Sequence, residues 1–198
     1  IAGDTVVYKG SGTSVADSGL TAGTTYYYKF YSENYSYYSA GDVVSATTPG
    51  TPTITVAAGT LAFGSQTTGT TSSEQNYTVS GANLTANITV TAPSGFEVST
   101  TSGSGFGSSV TLTPSGGTVG STTIYVRFAP GSAGSYSVNI THASTGATTQ
   151  NKALTGTGVD PTPAAPVASA ATTVGYTSFY ANWAASTYAT SYRLDVAT

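Results

Sequence analysis

His142 is the only histidine of the chain, and with eight carboxylates, five basic side chains, no cysteine and no methionine it heads a short inventory of groups able to do chemistry. A Ser–His–acid triad would need it as the base that takes the serine proton. Serine is abundant, but no Gly-x-Ser-x-Gly elbow in a strand-to-helix context accompanies it. On an alternating segment, Tyr136–His142, it has the parity of the inward residues but stands at the end, and it reads as a partly exposed strand-end histidine. One histidine without cysteine leaves zinc only scattered carboxylates. The carboxylates are spread singly, so a glycosidase pair would have to be assembled by the fold, and no loop gathers the Asp and Asn that calcium requires. Gly103-Ser-Gly-Phe-Gly107 has the glycines of a phosphate cradle without a lysine or a following helix, and reads as a flexible loop. The expectation is a protein without catalytic, metal or cofactor residues.

Composition points the same way. Charged residues are 7% of the 198, a third of the chain is Ser or Thr, and Gly (24) and Tyr (15) are frequent. This mixture is rich in strand and turn formers and poor in helix formers. With 38% hydrophobic residues in regular alternation, it describes a folded β-protein rather than a disordered one. A formal charge of −3 offers no electrostatic footprint for nucleic acid or an anionic membrane, and no apolar run is long enough to span a bilayer. Absence of cysteine excludes a disulfide scaffold and is compatible with secretion by a bacterium. The first residue is Ile1, so a processed or excerpted portion of a longer product is expected.

The elements that would position any site are strands. Residues 1–49 give Thr5–Lys9, Ser14–Ala16, Thr25–Tyr31 and Asp42–Thr48. Residues 51–158 give nine more: Thr53–Val56, Leu61–Phe63, Gln75–Val79, Asn87–Thr91, Phe96–Ser99, Val110–Thr113, Thr122–Phe128, Tyr136–His142 and Thr149–Thr155. In Thr122–Phe128 the residues Ile124, Val126 and Phe128 face one way and Tyr125 and Arg127 the other. Ala129–Gly134 after it reads as a hairpin-like connection. Residues 165–198 give Val167–Val174, Phe179–Trp183 and Ser191–Val196. Thr48-Pro-Gly-Thr-Pro-Thr53 and Val159-Asp-Pro-Thr-Pro-Ala-Ala-Pro166 are proline-pinned linkers between the three portions. Five Asn-x-Ser/Thr triplets, at Asn34, Asn76, Asn83, Asn87 and Asn139, arise by chance in so Ser/Thr-rich a chain.

Two resemblances sharpen this picture. Leu20-x-Ala22-Gly23-Thr24-x-Tyr26-x-Tyr28-x-Phe30 resembles the E–F corner and strand F of a fibronectin type III domain, with Ala22 where that family often has Pro. The resemblance implies that Tyr26 makes a tyrosine corner, its hydroxyl bonded to nearby backbone. Ser178-Phe-Tyr-Ala-Asn-Trp183 is similar to strand B of the same family with its core Trp. By that resemblance residues 1–49 are strands C′, E, F and G, and residues 165–198 are strands A, B and C. Asn76–Leu84, Ile88–Val98 and Thr122–Phe128 resemble an Ig-like module of secreted multidomain proteins of Bacteroidota-type bacteria, which implies a spacer or binding module outside the cell.

The fold class expected is therefore all-β, with Ig-like and fibronectin type III-like sandwiches in tandem: a complete one over 51–158, flanked by the C-terminal half (1–49) and the N-terminal half (165–198) of another. The two halves duplicate no strand and lack none. Closure within one chain is disfavoured, because an odd-stranded sandwich brings its ends out roughly 40 Å apart while linkers of about six residues reach only about 20 Å. Three arrangements stay open: an excerpt of a modular chain, a non-covalent head-to-tail polymer, and a covalent tandem array. The expected function is a non-catalytic structural module of a surface adhesin or extracellular filament, its partners copies of itself or adjoining domains of the same polypeptide. The expected assembly interface sets Tyr26, Tyr28 and Phe30 of one unit against Phe179, Trp183, Tyr192 and Leu194 of the next. The rival is a spacer or carbohydrate-binding module of a larger secreted hydrolase. For it, the outward Tyr27, Tyr31, Tyr35, Tyr37 and Tyr38 would stack on surface glycans, against a plainer reading as ordinary strand formers on a low-charge surface.

Overall fold

The computed structural model describes residues 8–197. Those residues form strands, turns and loops and no helix: β1 (Thr25–Phe30), β2 (Glu33–Asn34), β3 (Tyr37–Tyr38), β4 (Asp42–Thr47), β5 (Thr53–Val56), β6 (Leu61–Thr67), β7 (Gln75–Ala82), β8 (Ile88–Thr91), β9 (Phe96–Ser99), β10 (Ser109–Leu112), β11 (Val119–Phe128), β12 (Gly134–Ala143), β13 (Gln150–Val159), β14 (Ala168–Thr172) and β15 (Tyr180–Trp183). The protein is all-β.

Strands β5 to β13 build a sandwich of two sheets. One has the order β10-β8-β12-β13-β6, the other β5-β7-β11-β9. Neighbours run antiparallel except β13 and β6, which are parallel. The leading strand of the sandwich thus divides: β5 pairs with β7 in one sheet, the chain turns through residues 57–60, and β6 joins β13 in the other. That crossing lets a single strand close one edge of each sheet.

Alternation explains what fills the space between the sheets. Ile124, Val126 and Phe128 of β11 point inward and are fully buried, as are Ile88 and Val90 of β8, Ile140 of β12 and Leu154 of β13. At one end the aromatic rings meet: Phe96 and Phe128 stack with centroids 4.7 Å apart, and Tyr136 meets Phe128 edge-on at 5.0 Å. Gly156 makes this possible, since a Cβ there would lie 2.8 Å from the Phe128 ring.

The nine segments expected between 51 and 158 all form strands, and two departures have physical causes. Strand β11 starts earlier than its apolar alternation, because a register shift between Val119 and Thr122 breaks the period of two. Residues 129–133 are not a hairpin. They carry the chain from β11 in one sheet to β12 in the other, with Pro130 fully buried on the way.

Outside this sandwich the sheets are two-stranded: β1 with β4, β14 with β15, and the small hairpin β2–β3. Of the expected strand Thr5–Lys9, residues 5–7 lie outside the described residues, and Tyr8 and Lys9 are not in a strand. Ser14–Ala16 and Ser191–Val196 form no strand either. A strand exists by pairing, and among the described residues neither segment enters a backbone ladder. The β2–β3 hairpin was not anticipated, its strands being too short to show alternation.

Replacing Phe128 by Ala should remove the centre of the aromatic cluster and lower unfolding free energy by about 3–5 kcal/mol, read from the urea midpoint at unchanged slope.

Candidate functional site

His142 lies two residues beyond Ile140 on β12, so the pleat turns it inward, and it is fully buried. This corrects the expectation of a partly exposed strand-end residue. Strand β12 continues to Ala143 and is flanked on both sides there, His142 pairing with Gln150 of β13 and with Val90 of β8. The place that looks like an end in the sequence is interior to the sheet.

Its partners fix its chemistry. Nδ1 stands 3.0 Å from the Gln150 carbonyl oxygen, which only accepts, so Nδ1 carries the proton. Nε2 is then the acceptor for the Tyr77 hydroxyl at 2.7 Å. Lys152, on the inward parity of Leu154, is buried as well. Its Nζ donates to the carbonyl oxygens of Ala57 (2.9 Å) and Ala58 (3.0 Å) and lies 5.3 Å from the Tyr77 ring centroid. These carbonyls belong to the turn by which the chain leaves β5 for β6, so the ammonium pins the crossing between sheets. Burial pushes the Lys152 pKa down and the Tyr77 phenol up. Burial also lowers that of His142, opposed by the bond to Gln150 and assisted by the nearby Lys152 charge.

No buried side-chain nitrogen or oxygen among the described residues lacks a hydrogen-bond partner. His142, Tyr77 and Lys152 are committed to one another and to backbone carbonyls, with no face left for a substrate. Among the described residues no three of His, Cys, Asp or Glu come close enough to hold a metal, and no helix is long and apolar enough to cross a membrane. The glycine loop 103–107 is tied to its neighbours, Gly107 exchanging backbone hydrogen bonds with Val98. Phe106 lies under the Arg127 guanidinium, its ring centroid 4.5 Å from Cζ, and Arg127 also pairs with Glu97 at 2.5 Å.

The residues singled out for assembly fall into two groups, each gathered on one surface. Tyr26, Tyr28 and Phe30 share one face of β1, Phe30 being 59% exposed. The Tyr26 hydroxyl accepts the Thr21 backbone N–H at 2.8 Å, the bond that a tyrosine corner requires. Thr48 fastens the same turn: its Oγ1 accepts from the Thr24 N–H at 3.0 Å and donates to the Thr21 carbonyl at 2.6 Å. Near the other end Phe179, Trp183, Tyr192 and Leu194 line one groove of about 290 Å³. Trp183 and Tyr192 touch with centroids 5.7 Å apart, and the Tyr192 hydroxyl accepts the Ser186 N–H at 2.6 Å. Phe179 and Leu194 remain 54% and 57% exposed. Strands β1 and β4 pair only with each other, as do β14 and β15.

No family model and no curated protein matches the chain. Among solved structures it is similar to the ASH/PapD-like domain of human CEP192 (PapD-like domain 7), at 14% identity over 55% of this chain and 87% of that one, with a TM-score of 0.33. The sandwich assignment rests on the two sheets and the core between them.

Tyr77 and Lys152 carry no signal of this role in the sequence. Each has inward parity, Tyr77 with Val79 and Lys152 with Leu154, but a lysine in a strand ordinarily marks the wet face.

The histidine gives a pH signature. Its folded-state pKa is depressed below the ordinary 6.5, so the fold favours neutral imidazole. That stability is full above the unfolded value and is lost as pH falls through the folded one. Thermal midpoints should therefore hold above about pH 7 and decline as pH drops below 6.5, and His142→Gln should flatten that part of the profile. Tyr77→Phe, which leaves Nε2 without its donor, should cost about 1–3 kcal/mol in urea unfolding at pH 7.

Proposed function

We propose that the chain is a non-catalytic structural unit of an extracellular or cell-surface assembly, in which residues 165–198 of one unit and 1–49 of the next complete a fibronectin type III-like sandwich. The observation that carries this reading is the contrast in cover. Between the sheets of the central sandwich the core residues are buried to 9% exposure or less, whereas in the terminal sheets Tyr26 and Tyr28 are only half-buried and Phe30, Phe179, Trp183 and Leu194 are exposed. Two-stranded sheets with one apolar face do not hold such a face in water alone. Each terminal portion has what the other lacks: β1 offers a face of Tyr26, Tyr28 and Phe30, and the second offers a groove walled by Trp183 and Tyr192.

The resemblance of these portions to strands F–G and A–B of one domain type supports their joining as one sandwich, and the corner bond at Tyr26 is in keeping with it. The Ig-like sandwich between them then acts as the rigid spacer that sets the repeat. Joining of this kind is heterologous and does not close on itself, so units follow one another in a line. An extracellular setting is in keeping with the absence of cysteine and with the resemblance to modules of secreted bacterial proteins.

Trp183, the only tryptophan, is a built-in reporter. As concentration rises, its emission should shift to the blue while sedimentation shows a growing series of oligomers and negative-stain micrographs show strings of beads. Trp183→Ala and Phe30→Asp should each shorten the series. A chain that stays monodisperse at high concentration with unchanged tryptophan emission would overturn the reading. Mass spectrometry of native material separates subunits near 19.7 kDa from a longer tandem polypeptide.

A further inference from the structure

A group of tyrosines is left over when the terminal faces are accounted for. Tyr27 stands on the side of β1 opposite Tyr26, Tyr28 and Phe30, so a sheet covering those three does not reach it, and Tyr31 follows the strand's last residue. The hairpin β2–β3 adds Tyr38, which meets Tyr31 edge-on at 6.4 Å, and it also carries Tyr37 and Tyr35, which are 82% and 92% exposed. Tyr35 opens the two-residue turn of this hairpin with φ at +55°. Glycine adopts that conformation without penalty, and tyrosine does so under strain. The same positive φ occurs at Thr173 and Tyr188, and what sets Tyr35 apart is the exposed aromatic cluster around it.

The charges nearby are already answered. Lys9 pairs with Glu33 at 3.0 Å, the Tyr38 hydroxyl donates to Glu33 at 3.2 Å, and Lys29 sits 5.2 Å from the Tyr31 centroid. An anionic ligand meets no cluster of free cations here, which argues against nucleic acid. A lipid or an aliphatic peptide would select Leu, Ile or Phe over rings that each end in a hydroxyl. The remaining chemistry is a ligand with C–H faces to lie on phenol rings and hydroxyls to bond with Tyr OH and amide groups, and without net charge.

We propose that the hairpin Glu33–Tyr38, with Tyr31 beside it, is a binding site for neutral saccharides, whose rings stack on Tyr35 and Tyr37. The site stands whether or not a neighbouring unit covers the terminal faces.

The test is affinity electrophoresis of the full 198-residue chain through gels holding neutral polysaccharides (a β-glucan, a mannan, a xylan, an α-glucan) or an anionic one (a polyuronate). Retardation by at least one neutral polymer is expected, unchanged in about 0.5 M salt. Tyr37→Ala and Tyr35→Gly should each weaken it roughly fivefold to tenfold, while Tyr176→Ala, an exposed tyrosine that lies in neither the hairpin nor the groove, leaves it unchanged. Tyr35→Gly is the decisive variant: it relieves the strained backbone, so its thermal midpoint should equal or exceed that of the parent even as binding is lost. Failure of every neutral polymer to retard the chain overturns the proposal. So does retardation indifferent to both substitutions, salt-sensitive binding to the polyuronate alone, or a protein partner at the hairpin with all the polysaccharides silent.

Discussion

A pleated sheet puts every second side chain on one side, and when that side is apolar something must lie over it. The central sandwich answers this demand internally. Ile124, Val126 and Phe128 on β11 are covered by Ile140 and Leu154 on the facing sheet, and the rings of Phe96 and Tyr136 close one end. The terminal sheets carry the same alternation without a cover. The architecture of the middle, the exposure of the ends and the assembly proposed for them are consequences of one requirement met in one place and open in two.

Meeting it in the middle raises a second difficulty, at the edges. A strand that begins in one sheet and finishes in the other closes an edge of each, but its crossing turn exposes carbonyls to the core. Lys152 resolves this by reaching inward to Ala57 and Ala58. A buried ammonium is costly unless its protons are satisfied, and two carbonyls with the face of Tyr77 supply that. Tyr77 then spends its hydroxyl proton on His142, and His142 spends its own on Gln150. The chain's one histidine and a lysine, the residues a search for catalysis reaches first, are thus consumed in holding a strand crossing together.

Much of this was legible in the residues. The all-β class and the nine central segments follow from alternation, as at Ile124-x-Val126-x-Phe128, and parity alone placed His142 on the inward side. Its depth was not legible, because burial there comes from Val90 on β8, a strand some fifty positions earlier whose pairing has no local signal. Lys152 shows residue type misleading where parity was right. The connection after Phe128 shows the opposite limit: Pro and Gly announce a reversal, but whether the chain returns in the same sheet or the facing one depends on partners elsewhere. Ser191–Val196 marks a third, since an alternating segment becomes a strand only beside an edge.

The scarcity of charge bears on how the ends would meet. The groove side offers Arg193 and Asp195, paired with each other at 3.0 Å and well exposed, and the strand side offers Lys29 and Asp42 near Phe30. Neither end carries a field of one sign, so in the proposed assembly long-range steering would contribute little and association would proceed at the unassisted rates of neutral surfaces, about 10⁵–10⁶ M⁻¹s⁻¹. Selectivity between correct and incorrect neighbours must then come from shape and backbone pairing: whether rings fit the groove beside Trp183, and whether a free strand edge finds donors and acceptors in register. An uncharged edge with an apolar face is also prone to indiscriminate pairing. The turns fastened by Tyr26 and Thr48 at one end, and by Tyr192 at the other, hold the two surfaces in defined shapes, which in the proposed assembly would favour a fitting neighbour over the many that merely stick.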